Sequence, residues 1–74
     1  MLYVVIELQK NGDSIANIVT THATRNEADS KFFAVLSAAA ISTVEKHACS
    51  LLTEDGICLR SEVYEHTVEV SNEE

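Results

Sequence analysis

Only one stretch of this sequence repeats its apolar residues at helical spacing, and on either side of it lies a pair of alternating segments interrupted by a glycine. Thr24 followed three residues later by Glu27 forms a capping box, so a helix is expected from about Arg25. Ala28, Phe32, Val35, Leu36 and Ala39 then make one apolar stripe, while Asn26, Asp29, Ser30 and Ser37 lie largely off it. The pair Thr43-Val44 is β-branched and weakens the helix, which should stop near Ser42.

Before the helix, residues 2 to 10 and 13 to 21 flank Asn11-Gly12, the dipeptide best suited to a type I′ turn. Closing the loop there pairs Lys10 with Asp13, Leu8 with Ile15, Ile6 with Asn17 and Val4 with Val19. Leu2, Val4, Ile6, Leu8, Ile15 and Val19 then share one face, which is expected to meet the core. The opposite face mixes Glu7, Gln9, Ser14, Ala16 and Thr20 with Tyr3, Val5 and Ile18. After the helix, residues 45 to 52 and 57 to 66 flank Glu54-Asp55-Gly56. A three-residue loop pairs Thr53 with Ile57, Leu51 with Leu59 and His47 with Val63; a two-residue loop, Asp55-Gly56, pairs Leu52 with Leu59 and Ala48 with Val63.

The order predicts an α+β domain of two layers, ββαββ, with a four-stranded, mainly antiparallel sheet and one helix on one face. A single domain over residues 1 to 70 is expected, with Thr67 to Val70 still alternating and residues 71 to 74 fraying. One helix covers one side of a sheet. The expectation is that the Tyr3, Val5 and Ile18 side stays bare and becomes the contact of a homodimer or higher assembly, with another protein as a further partner.

Size points the same way. In 74 residues, 46% of them hydrophobic, a core rarely supplies more than ~3 to 5 kcal/mol without a disulfide, a metal or a second chain. The formal charge is −7, and its acids gather late: residues 1 to 53 hold five acids and four bases, whereas 54 to 74 hold seven acids and one base. Without a Lys/Arg cluster, direct nucleic-acid binding is not expected. No apolar run nears the ~20 residues that cross a bilayer, so no membrane contact is expected. The absence of a basic, cleavable leader and the two unpaired cysteines point to the cytoplasm.

His47, Cys49, Cys58 and His66 are the candidate zinc ligands. His47 and Cys49 share a strand face, but neither register brings Cys58 and His66 to them in a closed tetrahedron, so no metal or other cofactor is expected. A Cys49 to Cys58 disulfide fails on the same geometry. His47 and Cys49 as base and nucleophile stand ~7 Å apart along a strand, out of hydrogen-bond reach. His22, Glu45, Glu62 and Glu65 are conceivable acid-base groups, but solvated strand faces explain Glu45, Lys46, Arg60 and Glu62 at least as well, and Gly12 and Gly56 are accounted for by turns. No catalytic residue is assigned.

Tyr3 to Glu7, Arg25 to Ala28, Ala39 to Ser42, His47-Ala48, Leu52 to Gly56, and Glu62 with Tyr64 and His66 together resemble small uncharacterised proteins of phage and prophage gene regions in Firmicutes. The resemblance covers essentially the whole chain and implies a role near virion structural proteins, with no functional residue carried over. The expected function is therefore a non-enzymatic assembly or accessory protein; the alternative is an acidic binder or inhibitor of a basic, nucleic-acid-binding partner.

Overall fold

A computed structural model of the chain describes residues 1–66. The strand extension expected over 67 to 70 and the fraying expected over 71 to 74 lie outside the described residues. The element order is β1 (Tyr3–Asn11), β2 (Ser14–His22), α1 (Arg25–Ala40), β3 (Lys46–Thr53) and β4 (Cys58–Glu65). The strands form one antiparallel sheet in the order β2-β1-β3-β4, and the α+β class expected from the sequence is the one observed.

The helix follows its sequence signals closely. Thr24 is the N-cap, with its hydroxyl accepting from the Glu27 N–H at 3.1 Å, and Ala28, Phe32, Val35 and Ala39 are its buried side chains. They pack on Val5, Cys49 and Leu51 of the central strands, with Tyr3 and Leu36 at the margin. Alternate positions on neighbouring strands share a face, so the covered side of the sheet is that of Tyr3, Val5, Glu7 and Gln9, with Ile18 beside them on β2 and His47, Cys49 and Leu51 on β3.

This reverses the face expected to meet the core. Val5 is 1% exposed beneath Phe32, Tyr3 packs against the same cluster, and Ile18 lies on the helix side at the sheet margin. The uncovered side carries Leu2, Val4, Ile6, Leu8, Ile15 and Val19. The cause is a one-residue displacement of the first turn. Asn11 pairs with Ser14, so the loop is Gly12-Asp13 rather than Asn11-Gly12. Gly12 takes φ 59° and, among the described residues, no non-glycine residue has a positive φ, which is the type II′ pattern and not I′.

Two strands joined by a two-residue loop are hydrogen-bonded at the pair that closes it, and at every second pair beyond. Closure at Asn11 and Ser14 therefore turns the backbone groups of the odd-numbered residues of β1 toward β2. Closure at Lys10 and Asp13 would have turned the even ones. In a strand of L residues, the side to which a backbone group points and the face on which its side chain stands are linked. Since β2 and β3 run parallel on either side of β1, α1 is a crossover between them, and the right-handed sense that such connections adopt places it over the odd-numbered side chains.

The second hairpin contains both of its alternative registers. Thr53 N–H donates to Ile57 O at 2.9 Å around a loop in which Gly56 has φ 85°, as a three-residue loop requires. Leu52 then pairs with Cys58, but Leu51 pairs with Arg60, so a bulge shifts the register by one. Beyond it Ala48 pairs with Val63, as in the two-residue alternative. The shift lets Arg60 reach the helix, where its Nε lies 3.4 Å from Asp29 and its guanidinium 5.2 Å from the Phe33 ring centre.

Candidate functional site

The covered face holds a polar cluster between its central strands. Glu7 and Gln9 point toward the helix from β1, in a layer otherwise built of Val5, Cys49 and Leu51. A carboxylate there is costly unless it is bonded. His47 on β3 supplies the partner: its Nδ1 lies 2.9 Å from Glu7 Oε2, and Gln9 Nε2 donates to the same oxygen at 3.1 Å. The other ring nitrogen, Nε2, lies 2.8 Å from Ser42 Oγ, just past the helix end. Ser42 Oγ accepts from the Val44 N–H at 3.0 Å. Both ring nitrogens are satisfied when Nδ1–H donates to Glu7 and the Ser42 hydroxyl donates to Nε2. His47 is 5% exposed, so these bonds work in a low-dielectric setting.

Serine, histidine and carboxylate in that order of hydrogen bonds is the arrangement that activates a nucleophile. The backbone amides around Ser42 are already engaged. The Ser42 N–H is committed to Ala39 O at 3.3 Å, and the Val44 N–H is aimed at Oγ itself, so neither is placed to hold an oxyanion. The groove of about 250 Å³ lined by Leu8, Lys10, Ile15, Lys46, Ala48 and Val63 opens on the uncovered side of the sheet. The cluster ties the helix end to the two central strands. Sequence reasoning tested His47 against Cys49 and missed Glu7 and Ser42; the signal was a carboxylate and an amide two residues apart in an apolar strand.

The four residues weighed as zinc ligands, His47, Cys49, Cys58 and His66, have separate surroundings. Among the described residues no group of three or more His, Cys, Asp or Glu side chains could hold a metal ion. Cys49 is buried, and burial, aided by the Glu7 carboxylate, pushes its thiol up to about 11; it is a neutral core residue. Cys58 is exposed, and both thiols are free. His66 closes the helix C-terminus, where its Nε2–H donates to Ala39 O at 2.7 Å. Its backbone N–H donates to Glu45 O at 2.7 Å, which holds the end of β4 to the chain entering β3.

Glu45 also grips the first turn. Its Oε1 accepts from the Gly12 N–H at 2.9 Å, its Oε2 lies 3.3 Å from Lys10 Nζ, and its own N–H donates to Asn11 Oδ1 at 3.2 Å. The Gly12 bond, then Lys10, hold its carboxyl below its ordinary value of 4.5. A depressed folded value means that Glu45 adds stability above pH 4.5, and that this contribution is lost as pH falls through the lower folded value. In urea titrations at a series of pH values, the advantage of the natural chain over Glu45→Ala should be present at neutral pH and shrink in acid. A gap that stays constant down to pH 3 would assign it to packing instead.

The uncovered face is the other candidate. Leu2, Val4, Ile6 and Leu8 run down β1, Ile15 and Val19 stand on β2, Ala48 and Leu52 on β3, and Val63 on β4. Ile15 is 64% and Val19 54% exposed. At one end of this side Lys10 pairs with Glu45 and Lys46 lies 3.5 Å from Glu65, and at the other the Glu54 carboxylate accepts from the Leu2 N–H. No helix among the described residues is long and apolar enough to cross a membrane. Compared with protein-family models, with curated proteins and with solved structures, the chain matches none.

Proposed function

We propose that this chain is a non-enzymatic assembly protein of the cytoplasm that works by packing its open sheet face against the same face of a second copy. The observation that carries this is the apolar surface of Leu2, Val4, Ile6, Leu8, Ile15 and Val19, extended by Leu52 and Val63 and broken by only the uncharged Asn17, Thr21, Ser50 and Ser61, on the side that the helix leaves bare among the described residues. At strand spacings of ~4.8 Å and rises of ~3.4 Å per residue, four strands of eight or nine residues present roughly 500 Å² in projection. Side-chain relief raises the accessible area above that, toward the ~800 Å² per partner of a stable interface.

A second copy suits the surface because Lys10 and Lys46, the cations at its end among the described residues, are already paired with Glu45 and Glu65 within the chain. Two such sheets stack ~10 Å apart as a sandwich. The resemblance to small phage-region proteins agrees with an assembly role.

Placing a carboxylate at the centre of the face tests the reading. Ile6→Glu should lower the mass found by light scattering at tens of micromolar while leaving the helical circular dichroism in place. A natural chain that already has the mass of one copy, or a variant whose assembly is unchanged, would sink it.

A further inference from the structure

The two edges of the sheet are built differently. β4 carries Arg60, Glu62 and Glu65 and is bent by the bulge at Leu51/Leu52, the features that keep an edge from pairing with another chain. β2, Ser-Ile-Ala-Asn-Ile-Val-Thr-Thr-His over Ser14–His22, has no Lys, Arg, Asp, Glu or Pro, and no bulge interrupts its nine pairs with β1. Its outer side meets no other strand among the described residues.

The register also says which groups face outward. Closure of the first turn at Asn11 and Ser14 commits the even-numbered residues of β2 to β1, so the N–H and C=O groups of Ile15, Asn17, Val19 and Thr21 point away from the sheet. The second hairpin supports this phase independently. His66 N–H donates to Glu45 O, so odd-numbered residues of β3 serve β4 and even-numbered ones serve β1, which leaves the odd-numbered residues of β1 for β2.

We propose that β2 pairs antiparallel with β2 of a second copy, about a twofold axis at Ile18, to make a continuous eight-stranded sheet. Setting Ile18 opposite itself brings Ile15 to Thr21 and Asn17 to Val19, and these are the four residues with outward backbone groups. Odd residues meet odd ones, so each face of the joined sheet keeps its character. No like charges meet, because the strand carries none.

This contact does not rest on the face pairing proposed above. Its axis stands perpendicular to the sheet, whereas the axis of a face-to-face pair lies parallel to it. Two perpendicular twofolds are the symmetry of a four-chain assembly.

Residue-resolved hydrogen exchange on the full chain reads the edge directly. In the assembled protein, the amides of Ile15, Asn17, Val19 and Thr21 should exchange at least about tenfold more slowly than unstructured amides, as their even-numbered neighbours do. Ile18→Lys sets two ammonium groups at the axis on the helix side, leaving the open face untouched. Asn17→Pro removes one outward N–H, which an edge strand tolerates. Each should halve the mass of a four-chain assembly and return the odd-numbered amides to fast exchange. Ile6→Glu should instead leave a pair with those amides still slow. Fast odd-numbered amides in the natural chain overturn the edge contact whatever the mass. Slow ones in a chain of single-copy mass overturn it in favour of the chain's own C-terminal residues.

Discussion

Phe32→Ala is expected to unfold the domain at room temperature. Phe32 is 1% exposed and sits between the helix and both central strands, touching the cluster that holds Val5, Cys49 and Leu51. Truncating a buried Phe costs about 3 to 5 kcal/mol, the transfer of the ring plus the cavity it leaves. A core of this size supplies about the same amount in total. The readout is far-ultraviolet circular dichroism at low concentration, where the helical signal should be lost. Because association favours the folded chain, raising the concentration should restore part of it. A cooperative melt close to that of the natural chain at every concentration would show that the core is not centred on this ring.

The second large effect concerns His47. His47→Leu removes the ring that satisfies Glu7, and leaves a carboxylate that is largely buried with only Gln9 as partner. Breaking such a buried pair from one side costs roughly 3 kcal/mol, chiefly the desolvation of the group left behind. Replacing both residues, Glu7→Leu with His47→Leu, should recover most of the loss, because two apolar side chains need no partner and Ser42 keeps its bond from the Val44 N–H. Denaturant midpoints of the two single variants and the double variant make the cycle. A double variant no more stable than His47→Leu would mean that the ring holds the helix end through Ser42 alone.

The helix was legible in the sequence because its signals are local: a Thr-x-x-Glu cap and five apolar residues at the right spacing lie within sixteen positions. Which face of the sheet it would cover was not. Asn11-Gly12 and Gly12-Asp13 differ by one residue as loops, and both leave the same side chains sharing a face. They differ in which backbone groups reach β2, and through the handed crossover this decides whether Val5 or Ile6 meets Phe32.

Counting apolar residues favours the even-numbered side of β1, since the odd side includes Glu7 and Gln9. What reconciles those two with the core is His47, forty residues further on and invisible until β3 is set beside β1. The register of the second hairpin was ambiguous for a different reason: the bulge contains one alternative near the turn and the other beyond it.

The central position of β1 has a consequence for how the molecule comes into being. β1, an inner strand, is made before β3, and its buried residue Val5 must wait for Leu51, its neighbour across the sheet. Until then the nascent hairpin has neither its helix nor its second flank, so translation must deliver β1 through β3 before the core can close.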